Sequence, residues 1–534
     1  MNFLKFFKIF CLMVFILTFS LVISGCGSSG KEANSQGSSE KGSPGTPKEG
    51  GVLTVGTSAD LTKLDLHTST VLSDRIPLLH VQEMLVTIDE KMNITPMLAE
   101  KWTTSDDGKT VTFTLRKGVF FHNGKEMKGE DVKYSIDRFM KVAARKGEFS
   151  MVKSITVPND HTVVFNLKQP SGVLLASLAN PYNPAVIIPK RMAEEQKDRV
   201  TNPIGTGPFQ FVKWEQGKQL VLKRFDKYAS SSGEASGFSG QKKPYVDQVI
   251  FKPISEASVR VTALETGEID VATDILPKDE ARLKKNKDLV ISQKPSMNWG
   301  YLFFGFKKPP FDNSKMRQAV AYAINKKEIV DVATWSLGQA ASSPVYPDME
   351  WYSDAHAKDY QQNVDKAKQL LKEAGYNGEK ITISTSKAYD HHVKAALTLQ
   401  DQLKKIGMNV DVEMLEWASF ISERANSGNY HLAVSHITPR PDPNQIYYAY
   451  LHSNSNFNGY NNPKMDGLLE KGLTTVNQDE RKSIYNDVQN LLREDLSFMS
   501  TYYYPVIEGS RSHVKGYVSW SAGYPRLWNV WLEK

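Results

Sequence analysis

Cysteine is nearly missing from this chain of 534 residues: Cys11 and Cys26 are the only two, both near the start. The rest can hold neither a disulfide framework nor a cysteine-based zinc site. Long apolar runs are also scarce. The uncharged run Ile9–Ile23 has 15 residues, short of the roughly 20 that span a bilayer. A polytopic membrane protein is excluded. Charge of one sign is not in excess either. There are 66 Lys and Arg against 59 Asp and Glu, a net +7. The two signs are mixed along the chain with no basic stripe, so a nucleic-acid partner is not expected. The nucleophile elbow GxSxG, the phosphate loop GxxxxGK[ST] and the zinc motif HExxH are all absent,. What is present is ordinary globular material, 40% hydrophobic and 23% charged, enough for about three to four domains at about 150 residues each.

The N-terminus carries Lys5 and Lys8, then the apolar run, then Ile23-Ser24-Gly25-Cys26. Residues 1–25 read as a secretory signal peptide. The four-residue end resembles the lipobox of bacterial lipoproteins, which implies diacylglycerol on Cys26 and cleavage just before it. The 24 residues of 27–50 are Gly, Ser, Pro, Lys and Glu with little else, too polar to form a core. They read as a flexible tether with a reach of roughly 27 Å. Removal of Lys5 and Lys8 leaves 64 basic against 59 acidic residues, or +5.

Beyond residue 50 the pattern alternates between strand and helix. Val52–Gly56 reads as a strand, and Lys101–Ser105 with Val111–Leu115 as a hairpin around Asp106-Asp107-Gly108,. A helix is predicted from Gly129, with Val132, Ile136 and Phe139 on one face and its acids at the start,. Ser154–Val157 and Thr162–Leu167 form a second hairpin. Farther on, strand Ile381–Thr385, helix Asp390–Ile406 and the strand with Val410, Val412 and Met414 make a βαβ unit with parallel strands,. Helices near Met316 and over Val364–Ala374 flank it.

Several segments resemble the family 5 solute-binding proteins of bacterial ABC importers, the peptide- and nickel-binding group. Leu98-Ala99-Glu100-Lys101-Trp102, Asp107-Gly108-Lys109, Phe113-x-Leu115-Arg116-x-Gly118-Val119-x-Phe121-His122-Asn123-Gly124 and Glu130-Asp131-Val132 follow in the family's order. Gly205-Thr206-Gly207-Pro208-Phe209, Gly267-Glu268-Ile269-Asp270 and Pro310-Phe311-Asp312-Asn313 continue it. The resemblance implies an α/β, two-lobed periplasmic-binding-protein-like fold with an extra inserted domain and hinged lobes. It places lobe I in residues 51–87, 202–300 and 507–534, the inserted domain II in 88–201, and lobe II in 301–506. Hinge strands are expected near Ser296–Phe306 and Thr501–Glu508. Most signature residues also have a purely structural role as hairpin core or turn.

The segment Ser435–Asn444 is the place to look for ligand recognition. In peptide-binding relatives this loop carries an Asp for the peptide's α-amine. Alignment on Asp442-Pro443 puts Pro439 there, with Arg440 beside it. The departure suggests a ligand carboxylate, which a guanidinium fork matches bidentately. Arg440, His436, Thr438 and Asp442 are therefore candidate ligand residues. The alternative is that Arg440 pairs with Asp442 and that Asp442 caps the next helix. Trp299, Tyr301 and Tyr182 lie at expected lobe boundaries, where they either stack on ligand or pack.

No metal site and no cofactor are expected. Adjacent helical residues point about 100° apart, which argues against His391 and His392 acting as a pair. Nickel relatives have an Arg in the segment that corresponds here to Ala179–Ile188, which has none. The expected role is therefore non-enzymatic capture of a di- or oligopeptide for a membrane permease, on the extracellular or periplasmic face, by a lipid-anchored monomer. An opine-like carboxylated solute, a metal chelate, a chemosensory receptor role and a secreted hydrolase are the alternatives.

Overall fold

A computed structural model describes residues 46–196, 199–455 and 457–533. The signal peptide, Cys26 and the tether up to residue 45 lie outside the described residues.

The first strand, β1 (Val52–Thr57), buries Leu53 and Val55 and leaves Val52 exposed, the period of two that its sequence shows. The two hairpins pair into one antiparallel sheet: β2 (Ala99–Thr104), β3 (Thr110–Leu115), β4 (Val152–Asn159) and β5 (Thr162–Leu167), in the order β2-β3-β5-β4. Phe113 faces Val163 across it, and its ring lies 5.3 Å from that of Phe165. Helix α1 (Gly129–Val142) buries Val132, Ile136 and Phe139. At its start the Lys128 N–H donates to the Asp131 carboxylate at 2.9 Å.

Apart from two small two-stranded sheets, Val86–Ile88 with Ile94–Pro96 and Val514–Lys515 with Trp531–Leu532, the remaining strands join one large sheet, eleven-stranded among the described residues. Its first half contains β6 (Phe209–Glu215), β7 (Gln219–Arg224), β8 (Gln248–Pro253) and β9 (Val271–Ala272), with β1 parallel to both β8 and β9. The long β10 (Leu289–Phe304) comes next in the chain. The second half is β11 (Ile381–Ser386), β12 (Val410–Leu415) and β13 (Leu432–Ile437), with β12 and β13 on either side of β11 and parallel to it. Helix α2 (Asp390–Lys405) makes the β11–β12 crossover, as its sequence predicts. The long β14 (Phe498–Arg511) closes the sheet.

Among the described residues, only β10 and β14 belong to both halves. Their antiparallel ladder runs from Leu289↔Arg511 to Phe303↔Phe498, with irregularities on either side of Trp299. β9 meets β14 at Gly509 and Ser510, whereas β13 meets β10 over Trp299–Phe304. Pro295 stands opposite Pro505 in this ladder. Neither has an N–H to give, so hydrogen bonding is interrupted where the two halves meet.

The Gly205-Thr206-Gly207 motif has a packing explanation. A Cβ at Gly205 would lie 2.1 Å from the Val81 carbonyl oxygen, and one at Gly207 would lie 2.5 Å from that of His80. This close approach lets the Thr206 hydroxyl donate to Glu83 at 2.9 Å. Glu83 also accepts from Tyr228 Oη at 2.9 Å and from Lys242 Nζ at 3.1 Å. Glu83 and Lys242 are both buried. Burial pulls the Lys242 pKa down and the Glu83 charge works against that shift. Glu83→Ala would leave the ammonium buried without its counter-charge. Unfolding in urea should then show a loss of about 3–5 kcal/mol. A loss below about 1 kcal/mol would refute this account.

Candidate functional site

The loop after β13 is held rigidly before any ligand is considered. Asp442 Oδ1 accepts the Asn444 N–H at 2.9 Å and so caps helix α3 (Asn444–Leu451). The same carboxylate forms a bidentate pair with Arg481, at 2.7 and 2.9 Å. Trp351 Nε1 donates to the Pro441 carbonyl at 3.0 Å. Asp442 is 2% exposed and Arg481 4%. The cap is as the sequence suggested. The pairing is not: Asp442 is bound to Arg481 and not to Arg440. Nothing local marks Arg481 as that partner; it comes from a helix, Gln478–Asp495, well downstream.

Arg440 is thereby left without an acid. It is buried, and among the described residues no carboxylate forms an ion pair with it. Its Nη1 donates to the Thr438 carbonyl (3.0 Å), Thr438 Oγ1 (2.6 Å) and the Pro439 carbonyl (2.8 Å). The guanidinium sits 5.4 Å from the centre of the Tyr182 ring, within cation–π range. Burial, helped by the like charge of Arg145, pulls the Arg440 pKa down to about 10. Arg75 is a second buried guanidinium. Its Nη2 makes a long bond of 3.4 Å to the Ser69 carbonyl, and its Nε has no partner. Burial lowers its pKa too, and Arg145 again adds to the shift. The Tyr182 and Tyr524 rings, 5.4 Å apart, feel both Arg75 and Arg440. Two guanidiniums from distant parts of the chain thus converge on two tyrosines, and Arg145 is near enough to act on both arginines.

Tyr182 Oη donates to the Ala522 carbonyl at 3.0 Å. Trp299 is fully buried, 5.5 Å from the Phe498 ring, and Tyr301 lies 4.4 Å from Phe303. All three aromatics pack, as one of the two readings had it. The indole Nε1 of Trp299 nevertheless has no hydrogen-bond partner, nor do Ser500 Oγ and Thr501 Oγ1 on β14. Buried polar atoms are rarely left so.

His436 brings a correction. It lies at the end of β13, and its Nδ1 is 2.7 Å from Nε2 of His392. His391 joins them: its ring is 4.3 Å from His392 and 5.7 Å from His436. The 100° argument against a His391–His392 pair fails here. It describes side chains inside a helix, whereas these two start α2 and lean together toward the strand ends. Burial lowers all three pKa values, that of His436 to about 4. Carboxylates lie nearby. Asp274, in a left-handed conformation at φ 52°, acts on Tyr389, Tyr504 and the buried Glu508. Burial raises the Glu508 pKa, with Asp274 adding a smaller push. Arg75, Asp274 and Glu508 escaped the sequence reading because nothing local marks them. A separate cavity of about 670 Å³, lined by residues such as Thr62, Arg199 and Trp214, touches none of the candidates.

Residues 93–458 match the family described as bacterial extracellular solute-binding proteins, family 5. The chain belongs to that family. It is 30% identical over 477 residues to the dipeptide-binding protein of Escherichia coli K12, covering 82% of this chain and 86% of that one. A Helicobacter pylori periplasmic binding protein, DppA, in complex with the peptide STSA, superposes with a TM-score of 0.76 at 28% identity over 91% of this chain and 99% of that one. A binding protein of Agrobacterium, AgaA, in complex with agropinic acid, gives 0.75 at 28% identity, with coverage of 91% and 99%. The family and these neighbours establish the two-lobed periplasmic-binding-protein fold and a role in solute binding for transport. Among the described residues no helix is long and apolar enough to cross a membrane.

The two arginines should respond oppositely to removal in the ligand-free protein. Arg481→Leu strips Asp442 of its partner and should cost about 3–5 kcal/mol. Arg440→Leu removes a buried charge that has no direct ion-pair partner among the described residues, Glu148 acting on it only at longer range, and should leave stability unchanged or raise it. Urea unfolding of both variants checks this, and equal losses would reverse the assignment.

Proposed function

We propose that this protein captures a di- or oligopeptide between its two lobes and hands it to an ABC permease, with Arg440 holding the ligand's carboxylate. One observation carries the reading: a buried guanidinium with no ion-pair partner among the described residues, over the Tyr182 ring, which also feels Arg75. A charge taken out of water needs a counter-charge, and a peptide C-terminus supplies one in bidentate geometry. Trp299 Nε1, Ser500 and Thr501 are available to the peptide backbone. Asp274 and Glu508 supply counter-charge for the ammonium end, in place of the acid that Pro439 replaces. Thr438 orients Arg440 through its hydroxyl, while Asp442 acts through the loop and not on ligand.

Lobe I comprises residues 51–87, 202–300 and 507–534, with 88–201 as the inserted domain and 301–506 as lobe II. The hinge is the β10–β14 ladder around Pro295 and Pro505. Ligand that touches both lobes shifts the population to the closed form, which docks on the permease. The chain works as a monomer, performs no chemistry on its cargo, and is tethered to the outer face of the membrane through lipid on Cys26. An opine-like carboxylated solute is the second reading. The arginine cluster suits it equally, and the agropinic-acid complex among the similar structures favours it.

A pool of di- to pentapeptides, added with EDTA to protein stripped of ligand by unfolding and refolding, should raise the melting temperature. Ligand at a hundredfold excess over Kd contributes about 2.7 kcal/mol. Arg440→Ala should weaken binding by about 2–5 kcal/mol and abolish the rise, and Arg440→Lys should restore part of it. No rise in the wild type at millimolar peptide would eliminate peptide as the cargo. A rise with an opine-like acid alone would establish the second reading.

A further inference from the structure

The carboxyl ends of parallel strands are where open α/β sheets collect ligands, and here three imidazoles meet there. His391 and His392 open α2 just after β11, and His436 ends β13. One nitrogen from each lies within 4.8 Å of the other two. From these contacts we propose that His391, His392 and His436 form a direct binding site for a first-row divalent transition cation, the zinc, nickel and cobalt class.

Three features of the chain support this beyond proximity. The first is the anchoring of His391. Its Nδ1 is 2.8 Å from Tyr502 Oη. With Nδ1 engaged there, Nε2 is the ring nitrogen left for a cation. An outer partner that fixes the ring nitrogen in this way is the usual support of a metal-bound histidine. The second feature is His392, which is fully buried while its Nδ1 has no hydrogen-bond partner. Buried ring nitrogens usually have a partner, and this one adjoins two further imidazoles. The third is the ring packed over the cluster: Tyr504 stacks on His391 at 4.2 Å between ring centres, which holds that imidazole in place.

Imidazole donors select zinc, nickel, cobalt and copper over calcium and magnesium. With metal–nitrogen bonds of roughly 2.0–2.1 Å, tetrahedral geometry requires nitrogens roughly 3.3 Å apart. The 2.7 Å contact of His392 with His436 has only to open slightly. Three protein ligands leave the fourth position to water or to a donor atom of the cargo. This assignment does not depend on the peptide reading: the cluster contains neither Arg440 nor Arg75.

The test is a titration of the full chain, freed of metal with EDTA and desalted, with Co(II) alone. The expected result is one saturable equivalent with the intense visible bands of four-coordinate cobalt. His436→Ala and His392→Ala should each weaken binding by at least about tenfold, since even outer-shell losses cost about 10–100-fold. His513→Ala should leave it unchanged. A wild type that gives no saturable tetrahedral spectrum would overturn the site. So would a folded His436→Ala that titrates like wild type, which would place the cobalt elsewhere. Half-exposed His436 makes that variant the decisive one if His392→Ala does not fold. Because the peptide titration is run in EDTA, either proposal can fail while the other stands.

Discussion

The antiparallel ladder between β10 and β14 is the contact on which the rest of the architecture rests. Remove it and the large sheet falls into two unconnected halves, because no other strand pairs on both sides. The same ladder contributes Trp299, Tyr301, Ser500 and Thr501 to the interior between the halves. A connection of two strands must satisfy opposing demands. It has to hold register, since a one-residue slip would turn every buried aromatic outward. If it is the hinge proposed above, it also has to bend. The hydrogen-bond gap at Pro295 and Pro505, next to the irregular pairing around Trp299, reconciles these by confining weakness to one place. On either side, Leu302, Phe304, Met499 and Tyr502 belong to one core, while Leu289 and Ile507 belong to another.

A second constraint operates on the loop that carries Arg440. Its shape is set by groups that face away from Arg440: Arg481, Trp351 and the first turn of α3 all act on Asp442 or its neighbours. A buried carboxylate with two parallel N–H bonds and a helix cap has its lone pairs fully used. The pair also denies Arg440 the only acid on its own loop. The guanidinium therefore keeps its charge in a dry place with only carbonyl, hydroxyl and ring partners. That arrangement is costly, and proteins retain such costs where binding needs them.

The sequence made the fold largely legible because its main elements are locally coded. Alternation in Val111, Phe113 and Leu115, the helical spacing of Val132, Ile136 and Phe139, and the βαβ unit across residues 381–415 each depend on nearby residues only. The site was legible in part. The loop and its arginine stood out, since a Pro and an Arg replaced an expected acid. The partner of Asp442 did not, because Arg481 lies 39 positions away on a helix with no special pattern. Arg75 and Asp274 were missed for the same reason: their meaning comes from what long-range folding places beside them. The histidines were misread for a different one. An angular rule for helix interiors was applied to a helix's first turn, where the neighbouring strand end decides which way side chains lie.

On the reading proposed above, with Arg440 and Arg75 facing the ligand, electrostatics is the selective element of the cleft and packing its frame. The buried aromatics around Trp299 and Tyr182 exclude water without choosing among solutes, because nearly any cargo can lie against a ring. Arg440 and Arg75 do choose. In water a carboxylate and a guanidinium gain little by meeting, but with water excluded the same pair becomes strong, and an uncharged solute would leave two cations buried without relief. Discrimination against neutral solutes is then a consequence of closure itself. The open cleft can hydrate its arginines and accept many molecules, while only a solute that neutralises them lets the lobes close at low cost. Arg145 sharpens the effect, since a third positive charge nearby raises the penalty of closing empty.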